Sequence, residues 1–429
     1  MRRFAVVLTC GLMATAAAQQ VQVEFWHTYG DAKRGGWIQQ KVEEFNKSRP
    51  NIKVVAQAKG NYEGVFQASI LAARQGKPPA LVQLSEAGSQ LAIDSGIFQP
   101  ISSIGKVNYS DYIKPVINYY TVQGKIYSLP FNSSSPVLYI NKTLAEKAGI
   151  KLNSLPDTFG KISAACKKIK ASGIEAKCIT FQVDSWLMEQ WVAEQGEVFV
   201  NNDNGRKGRA TESNLTSEAL KKAVRWMKSL NDDGMYTYTG KFEDAEGSQA
   251  IFVNQKAVFL IASTSRIGNI TSDAKKNGFN VAVGQYPIPD GTTRNGVVIS
   301  GGSLWVTQEI PDEVAEAARE FALFLTSSSN MVDWHKLTGY YPVRNSSVQL
   351  LKKEGWLEKG AAQAVAFNQL LRTKVNSATA GALFGSFYEV RKEVEQTLQR
   401  VLQGADIDKS LSDLKQKSDR IIKDYNANF

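Results

Sequence analysis

The stretch VQVEFWHTYGDAKRGGWIQQKVEEFNKSRPNIKVVAQA, residues 21–58, decides the fold. Val21, Val23 and Phe25 alternate with polar residues, the period of a half-buried strand. From about Asp31 to Lys47, Ile38, Val42 and Phe45 share one helical face, and Pro50 ends that helix. Ile52, Val54 and Ala56 alternate again as a second strand. Downstream, Val65, Phe66, Ile70 and Leu71 mark another helix, Gly76-Lys77-Pro78-Pro79 breaks it, and residues 80–84 form a short apolar strand. Strands and helices that alternate this closely predict an α/β domain with a parallel sheet covered on both faces.

Further along, residues 137–140, 176–181, 257–262, 279–283 and 304–307 read as strands. Helices are predicted around 159–169, 217–230 and 314–325, and the chain is helical from 330 onward. There is no internal repeat and no low-complexity tract. A single core stops growing at about 250–300 residues, so 429 residues suit two α/β lobes. No Pro/Gly/Ser-rich linker divides them, which points to lobes built from discontinuous sequence.

The first residues read as a processing signal. Arg2 and Arg3 are followed by a mostly apolar run over 4–14 and by Ala16-Ala17-Ala18 before Gln19. Residues 1–18 are therefore expected to be a cleaved signal peptide, and the mature protein to be exported and soluble. Cys10 lies in a poor lipoprotein context. The formal charge of +10 falls to +8 once two arginines leave with the leader. No dense basic stripe interleaved with aromatics is present, which argues against nucleic acid. Cys166 and Cys178 remain after export, and an oxidising compartment permits but does not require their pairing.

The inventory is poor in catalytic chemistry. There is no G-x-S-x-G elbow, phosphate-binding loop, dinucleotide fingerprint or H-E-x-x-H. His27 and His335 each read as structural or as an isolated base. Glu43-Glu44 and Asp232-Asp233 are adjacent pairs and point apart. No catalytic residue, cofactor or metal ligand is assigned.

Binding features are richer. Asn132-Ser133-Ser134-Ser135-Pro136, Ser263-Thr264-Ser265 and Ser300-Gly301-Gly302-Ser303 cluster hydroxyls and backbone N–H groups at element boundaries. Such clusters either hold an anion or polyol or serve as ordinary turns. Arg391 projects from the stripe of Phe387, Val390, Val394, Leu398 and Val401, where a guanidinium either snorkels to water or meets an anion. Trp26, Tyr62, Trp186, Trp305, Trp334 and Tyr340 fall near predicted element ends, either as core or as walls of a cleft.

Several of these segments together carry a resemblance. They are Phe25-Trp26-His27-Thr28, Gly60-Asn61-Tyr62-Glu63, the run 129–139 beginning Leu129-Pro130-Phe131-Asn132, Gly301-Gly302-Ser303-Leu304-Trp305-Val306 and Thr338-Gly339-Tyr340. In this order and spacing the chain resembles the extracellular solute-binding proteins of ABC importers, in the maltose-binding-like branch and nearest its glycerol-phosphate-binding group. The resemblance implies a two-lobed, type II periplasmic-binding-protein fold with hinge crossovers and a helical C-terminal region. Lobes of residues 19–133 with 287–327, and 134–286 with 328–429, follow from it. So does capture of sn-glycerol 3-phosphate or a glycerophosphodiester such as glycerophosphocholine, by a periplasmic monomer that closes on its ligand and delivers it to a membrane permease. Implied contacts are Glu86 to glycerol hydroxyls, with Ser134, Ser263, Tyr340, the Gly302 N–H and Arg391 around the phosphate. Tyr62 would close one wall, and Trp186 would face the ligand's far end. Residues 183–197 and 373–386 depart from the family pattern, and Ser85 stands where relatives often have an aromatic. The alternatives are the same fold holding a neutral oligosaccharide, and an exported glycerophosphodiester hydrolase.

Overall fold

The computed structural model describes residues 20–358 and 361–429, so the expected leader, Cys10 included, lies outside the described residues. The chain first lays down β1 (Val21–His27), β2 (Ile52–Ala58), β3 (Leu81–Ser85) and β4 (Phe98–Gln99). A small hairpin of β5 (Thr121–Val122) and β6 (Lys125–Ile126) precedes β7 (Ser128–Ser134) and β8 (Pro136–Asn141). Next come β9 (Lys177–Phe181), β10 (Tyr236–Thr237), β11 (Ala257–Ser263), β12 (Val281–Gly284) and β13 (Ser300–Thr307).

Two sheets organise the molecule. The first runs β2-β1-β3-β13-β4, with β7 also paired to β13, and the second runs β10-β9-β11-β8-β12. Ser135 alone separates β7 in the first sheet from β8 in the second, and the chain returns between β12 and β13. Both faces of the first sheet are covered. On one, Val23, Phe25 and Leu81 pack with the helices Arg34–Ser48 and Asp312–Leu325 through Ile38, Phe45 and Phe321. On the other, Trp26, Val82 and Trp305 pack with Val65 and Phe66 of the helix Tyr62–Arg74. That helix starts where the Asn61 side chain accepts the Gly64 N–H at 2.9 Å, a conventional N-cap. The second core gathers Leu138, Phe181, Trp191 and Trp226 beneath the helix Phe387–Leu402.

Two expectations need correction. The sheets are mixed rather than parallel: β1 runs parallel to β2 and β3, but β13 is antiparallel to β3, β4 and β7, and β8 to β11 and β12. Hydrophobic period reports burial and not strand direction, and β13 enters the first sheet from the other lobe instead of through a local helical crossover. The Ser-rich run at 132–134 is neither a surface turn nor an open cradle, since β7 is buried along its whole length against β13. Of the aromatics read as core or cleft walls, Trp26, Trp305 and Trp334 are core residues, while Trp186 and Tyr340 line recesses at the seam between the sheets.

Cys166, on the helix Phe159–Ala171, is bonded to Cys178 on β9, with Cα atoms 5.0 Å apart. Both sulfurs are buried in the second core. Closing so short a loop contributes about 2–4 kcal/mol. The double variant Cys166→Ala/Cys178→Ala should lose stability of that order in urea unfolding, and reductant should lower the midpoint of the native protein but not that of the variant. Among the described residues no helix is long and apolar enough to cross a membrane.

Candidate functional site

The site forms where the two sheets face each other, and Arg391 is its centre. The helix Phe387–Leu402 buries Phe387, Val390, Val394, Leu398 and Val401, which turns Arg391 inward along the same side. Its side chain is 15% exposed and its guanidinium lies 4.5 Å over the Phe387 ring. The Arg391 Nε donates to Glu189 Oε1 at 2.9 Å, and Nη2 donates to Glu189 Oε2 at 2.8 Å and to Glu86 Oε1 at 3.2 Å. Burial opposes this charge, but Glu189 and then Glu86 outweigh it and hold the guanidinium well above the usual arginine range.

The two carboxylates come from opposite sides of the seam. Glu86 opens the short turn Glu86–Gly88 at the end of β3 and accepts the Gly301 N–H at 3.0 Å and the Ser85 hydroxyl at 2.9 Å. Glu189 sits on the helix Ser185–Glu194, which Asp184 caps, and it accepts the Ser185 hydroxyl at 2.9 Å. Tyr119, Trp186 and Phe199 complete the aromatic walls of this chamber. The ion triad fills it so closely that about one water fits, so a glycerol-sized guest requires the walls to part.

Two more carboxyls lie behind the triad. Burial, reinforced by Glu189, raises Asp184 to about 7 against the pull of the Leu187 N–H and Arg391. Burial, then Glu243 and Asp184, raise Glu395 to about 8. Against the chamber residue Tyr119, Arg206 is stacked 4.9 Å from the ring and donates to the carbonyls of Tyr119, Gly381 and Ala380. It has no carboxylate partner among the described residues, and burial lowers it to about 10.

The remaining sequence-derived residues spread along the same seam. Trp186 also lines a second recess with Ser263, Ser248 and Arg266. Arg266 lines in turn an open cleft with Tyr340, Arg34 and Ser265. Tyr340 stacks on Trp334, with ring centres 6.0 Å apart and planes 3° apart. Tyr62 accepts a hydrogen bond from Asn132 Nδ2 at 2.8 Å and lies against Gly302, behind the chamber. Its phenol is pushed up by burial and then by Tyr340, with Asn132 opposing and Glu86 adding. Ser134 is buried in β7 opposite Ser300, whose hydroxyl faces Glu86 at 3.5 Å. Glu86, Trp186 and Arg391 thus meet in one chamber, Ser263 and Tyr340 lie further along the seam, and Ser134, Gly302 and Tyr62 form the wall behind.

Glu189, Arg206, Arg266 and Tyr119 were not expected from the sequence. Glu189 had no visible signal, because nearly the whole of its helix is buried and shows no polar face. Arg206, in Gly205-Arg206-Lys207-Gly208, reads as a solvated turn. Both histidines are buried, with His27 accepting the Tyr29 N–H at Nδ1 and His335 Nδ1 lying 2.7 Å from the Tyr340 carbonyl. Burial lowers each to about 4, so both are neutral near pH 7. Among the described residues no group of three or more His, Cys, Asp or Glu is placed to hold a metal ion.

The family described as bacterial extracellular solute-binding proteins matches residues 40–364. The sn-glycerol-3-phosphate-binding periplasmic protein UgpB of Salmonella typhimurium is 30% identical over 417 residues, covering 94% of this chain and 93% of its own. UgpB of Pectobacterium atrosepticum is 29% identical over 415 residues, covering 94% and 91%. Among solved structures, UgpB from Mycobacterium tuberculosis in complex with glycerophosphocholine superposes with a TM-score of 0.79 at 20% identity, covering 95% of this chain and 99% of its own. The sugar-binding protein MalE of Xanthomonas citri superposes at 0.78 and 18% identity, covering 95% and 99%.

Proposed function

Because the chain belongs to the bacterial extracellular solute-binding proteins, we propose that it captures a glycerophospho compound outside the cytoplasm and hands it to the permease of an ABC importer. Glycerol 3-phosphate and glycerophosphodiesters such as glycerophosphocholine are the candidate ligands. The observation that carries this reading is Arg391. Arg391 projects from the buried side of its helix into the chamber with Glu86 and Trp186, where a guanidinium can bond an oxyanion and a carboxylate can accept polyol hydroxyls. The names of the UgpB relatives support the same ligand class. In this proposal, lobes of residues 19–133 with 287–327 and 134–286 with 328–429 part about the crossings to admit ligand, then close. The protein is exported by its leader and works as a monomer. Ser263, Tyr340, Ser134, Gly302 and Tyr62 shape the seam on either side of the arginine.

Isothermal titration of the mature protein with glycerol 3-phosphate, glycerophosphocholine and maltose tests the reading. Heat with at least one phospho ligand and none with maltose is expected, and the reverse would overturn it. A second reading, a neutral oligosaccharide, is favoured by one observation: two carboxylates already neutralise Arg391. It predicts that Arg391→Ala leaves sugar affinity almost unchanged.

A further inference from the structure

We infer that Glu189 is the charge filter of this site: it occupies the two-toothed oxyanion seat on Arg391 and selects glycerophospho ligands without net negative charge over the dianionic monoester. The inference rests on the glycerophospho reading above and deepens it.

Arginine binds phosphate and carboxylate best through a parallel pair of N–H groups. On Arg391 that pair, Nε and Nη2, is taken by Glu189 at 2.9 and 2.8 Å. The carboxylate is held there by the Ser185 hydroxyl and is 8% exposed, so it does not swing out to solvent. Glu86 adds a second carboxylate on Nη2. Leaving Asp184 and Glu395 aside, the chamber sets the carboxyl groups of Glu86 and Glu189 against one guanidinium. A phosphate monoester, dianionic above its second ionisation near pH 6, would meet net negative charge in a site of low dielectric. Arg206 does not line the chamber, and three of its five N–H groups face away to the carbonyls of Tyr119, Ala380 and Gly381.

A phosphodiester carrying a cationic group meets different chemistry. Its single phosphate charge can share Arg391, whose Nη1 has no protein acceptor among the described residues. Its cation faces Glu189 together with Trp186, Tyr119 and Phe199, and carboxylates combined with aromatic faces recognise quaternary ammonium. The geometry therefore assigns to Glu189 both a repulsion against one ligand and an attraction for another.

The test titrates the mature protein at pH 8 and fixed ionic strength with glycerophosphocholine (net charge zero), glycerophosphoglycerol (one negative charge) and glycerol 3-phosphate (two). Affinity of the native protein is expected to fall along that series, by about tenfold or more from first to last. Glu189→Gln keeps the shape and a hydrogen-bond acceptor. It should raise glycerol 3-phosphate affinity about tenfold and lower that of glycerophosphocholine severalfold. Opposite shifts are the signature, since a merely structural prop would weaken both. Equal losses for the two ligands, or a native preference for the dianion, overturn the inference, and the native series decides even if the variant does not fold. Binding of maltose with neither phospho ligand is a separate outcome that overturns the glycerophospho reading itself.

Discussion

Arg391→Ala is expected to reduce glycerophosphocholine affinity by about a hundredfold or more, and to destabilise the protein even without ligand. The first effect follows from losing the cation opposite the phosphate, a truncation that costs about 2–5 kcal/mol in buried charged contacts. The second follows from what the side chain leaves behind. Glu86 is 4% exposed and Glu189 is 8% exposed, so removing their shared guanidinium strands two carboxylates facing each other across the seam. Breaking a buried pair from one side costs about 3–5 kcal/mol, which for a chain of this size lowers the unfolding temperature by about 3–6 °C. Calorimetric scanning and titration of one preparation measure both. Acidification should narrow the stability deficit but not the affinity deficit, because protonating the stranded acids relieves repulsion and restores no cation. Arg391→Lys should recover most of the stability and little of the affinity, since an ammonium offers charge without the two-toothed fork. Full ligand heat from Arg391→Ala would remove the arginine from the site and leave the neutral-sugar reading standing.

What the sequence made legible, and what it hid, divides along physical lines. The strand–helix–strand start at residues 21–58 was readable because the first half of β1, the helix and β2 each keep one side more exposed than the other, so period 2 and period 3.6 both show. Arg391 was readable for the same reason, as a charge on an otherwise apolar stripe. Strand direction left no trace in those periods, and the antiparallel entry of β13 went unseen. The helix Ser185–Glu194 was opaque because it is buried nearly all round, and that is where Glu189 lies. β7 misled in another way: Asn132, Ser133 and Ser134 have turn chemistry, yet they are buried because β13 satisfies their backbone. The resemblance pointed to Glu86 and Arg391, which the structure brings within hydrogen-bond distance, but not to Glu189, which bonds the same guanidinium.

Gly301→Ala should be the most disruptive single methyl that can be added near the site. Gly301 has φ +122°, a conformation that L side chains rarely adopt, and a Cβ there would stand 1.8 Å from the Asn132 carbonyl oxygen. That oxygen is backbone in β7, so no flexible side chain can swing away to make room. Either β13 and β7 separate where Gly301 pairs with Ser133, or the strand rotates and withdraws the N–H that holds Glu86 Oε2 at 3.0 Å. Both routes spoil the chamber, and the combined strain and lost pairing should cost about 4 kcal/mol or more. Low soluble yield, a lower unfolding temperature and no ligand heat are expected. Gly302→Ala should be milder, because its Cβ would meet the Asn132 Oδ1 and the Tyr62 ring at 2.8 and 2.9 Å, both side-chain atoms that can yield. Gly268→Ala, at an exposed position of a helix with nothing within 4 Å, should be neutral or stabilise by about 0.5–1 kcal/mol. If Gly301→Ala instead matched Gly268→Ala in scanning calorimetry and bound ligand normally, the tight approach of β13 to β7 would not be what holds Glu86 against Arg391.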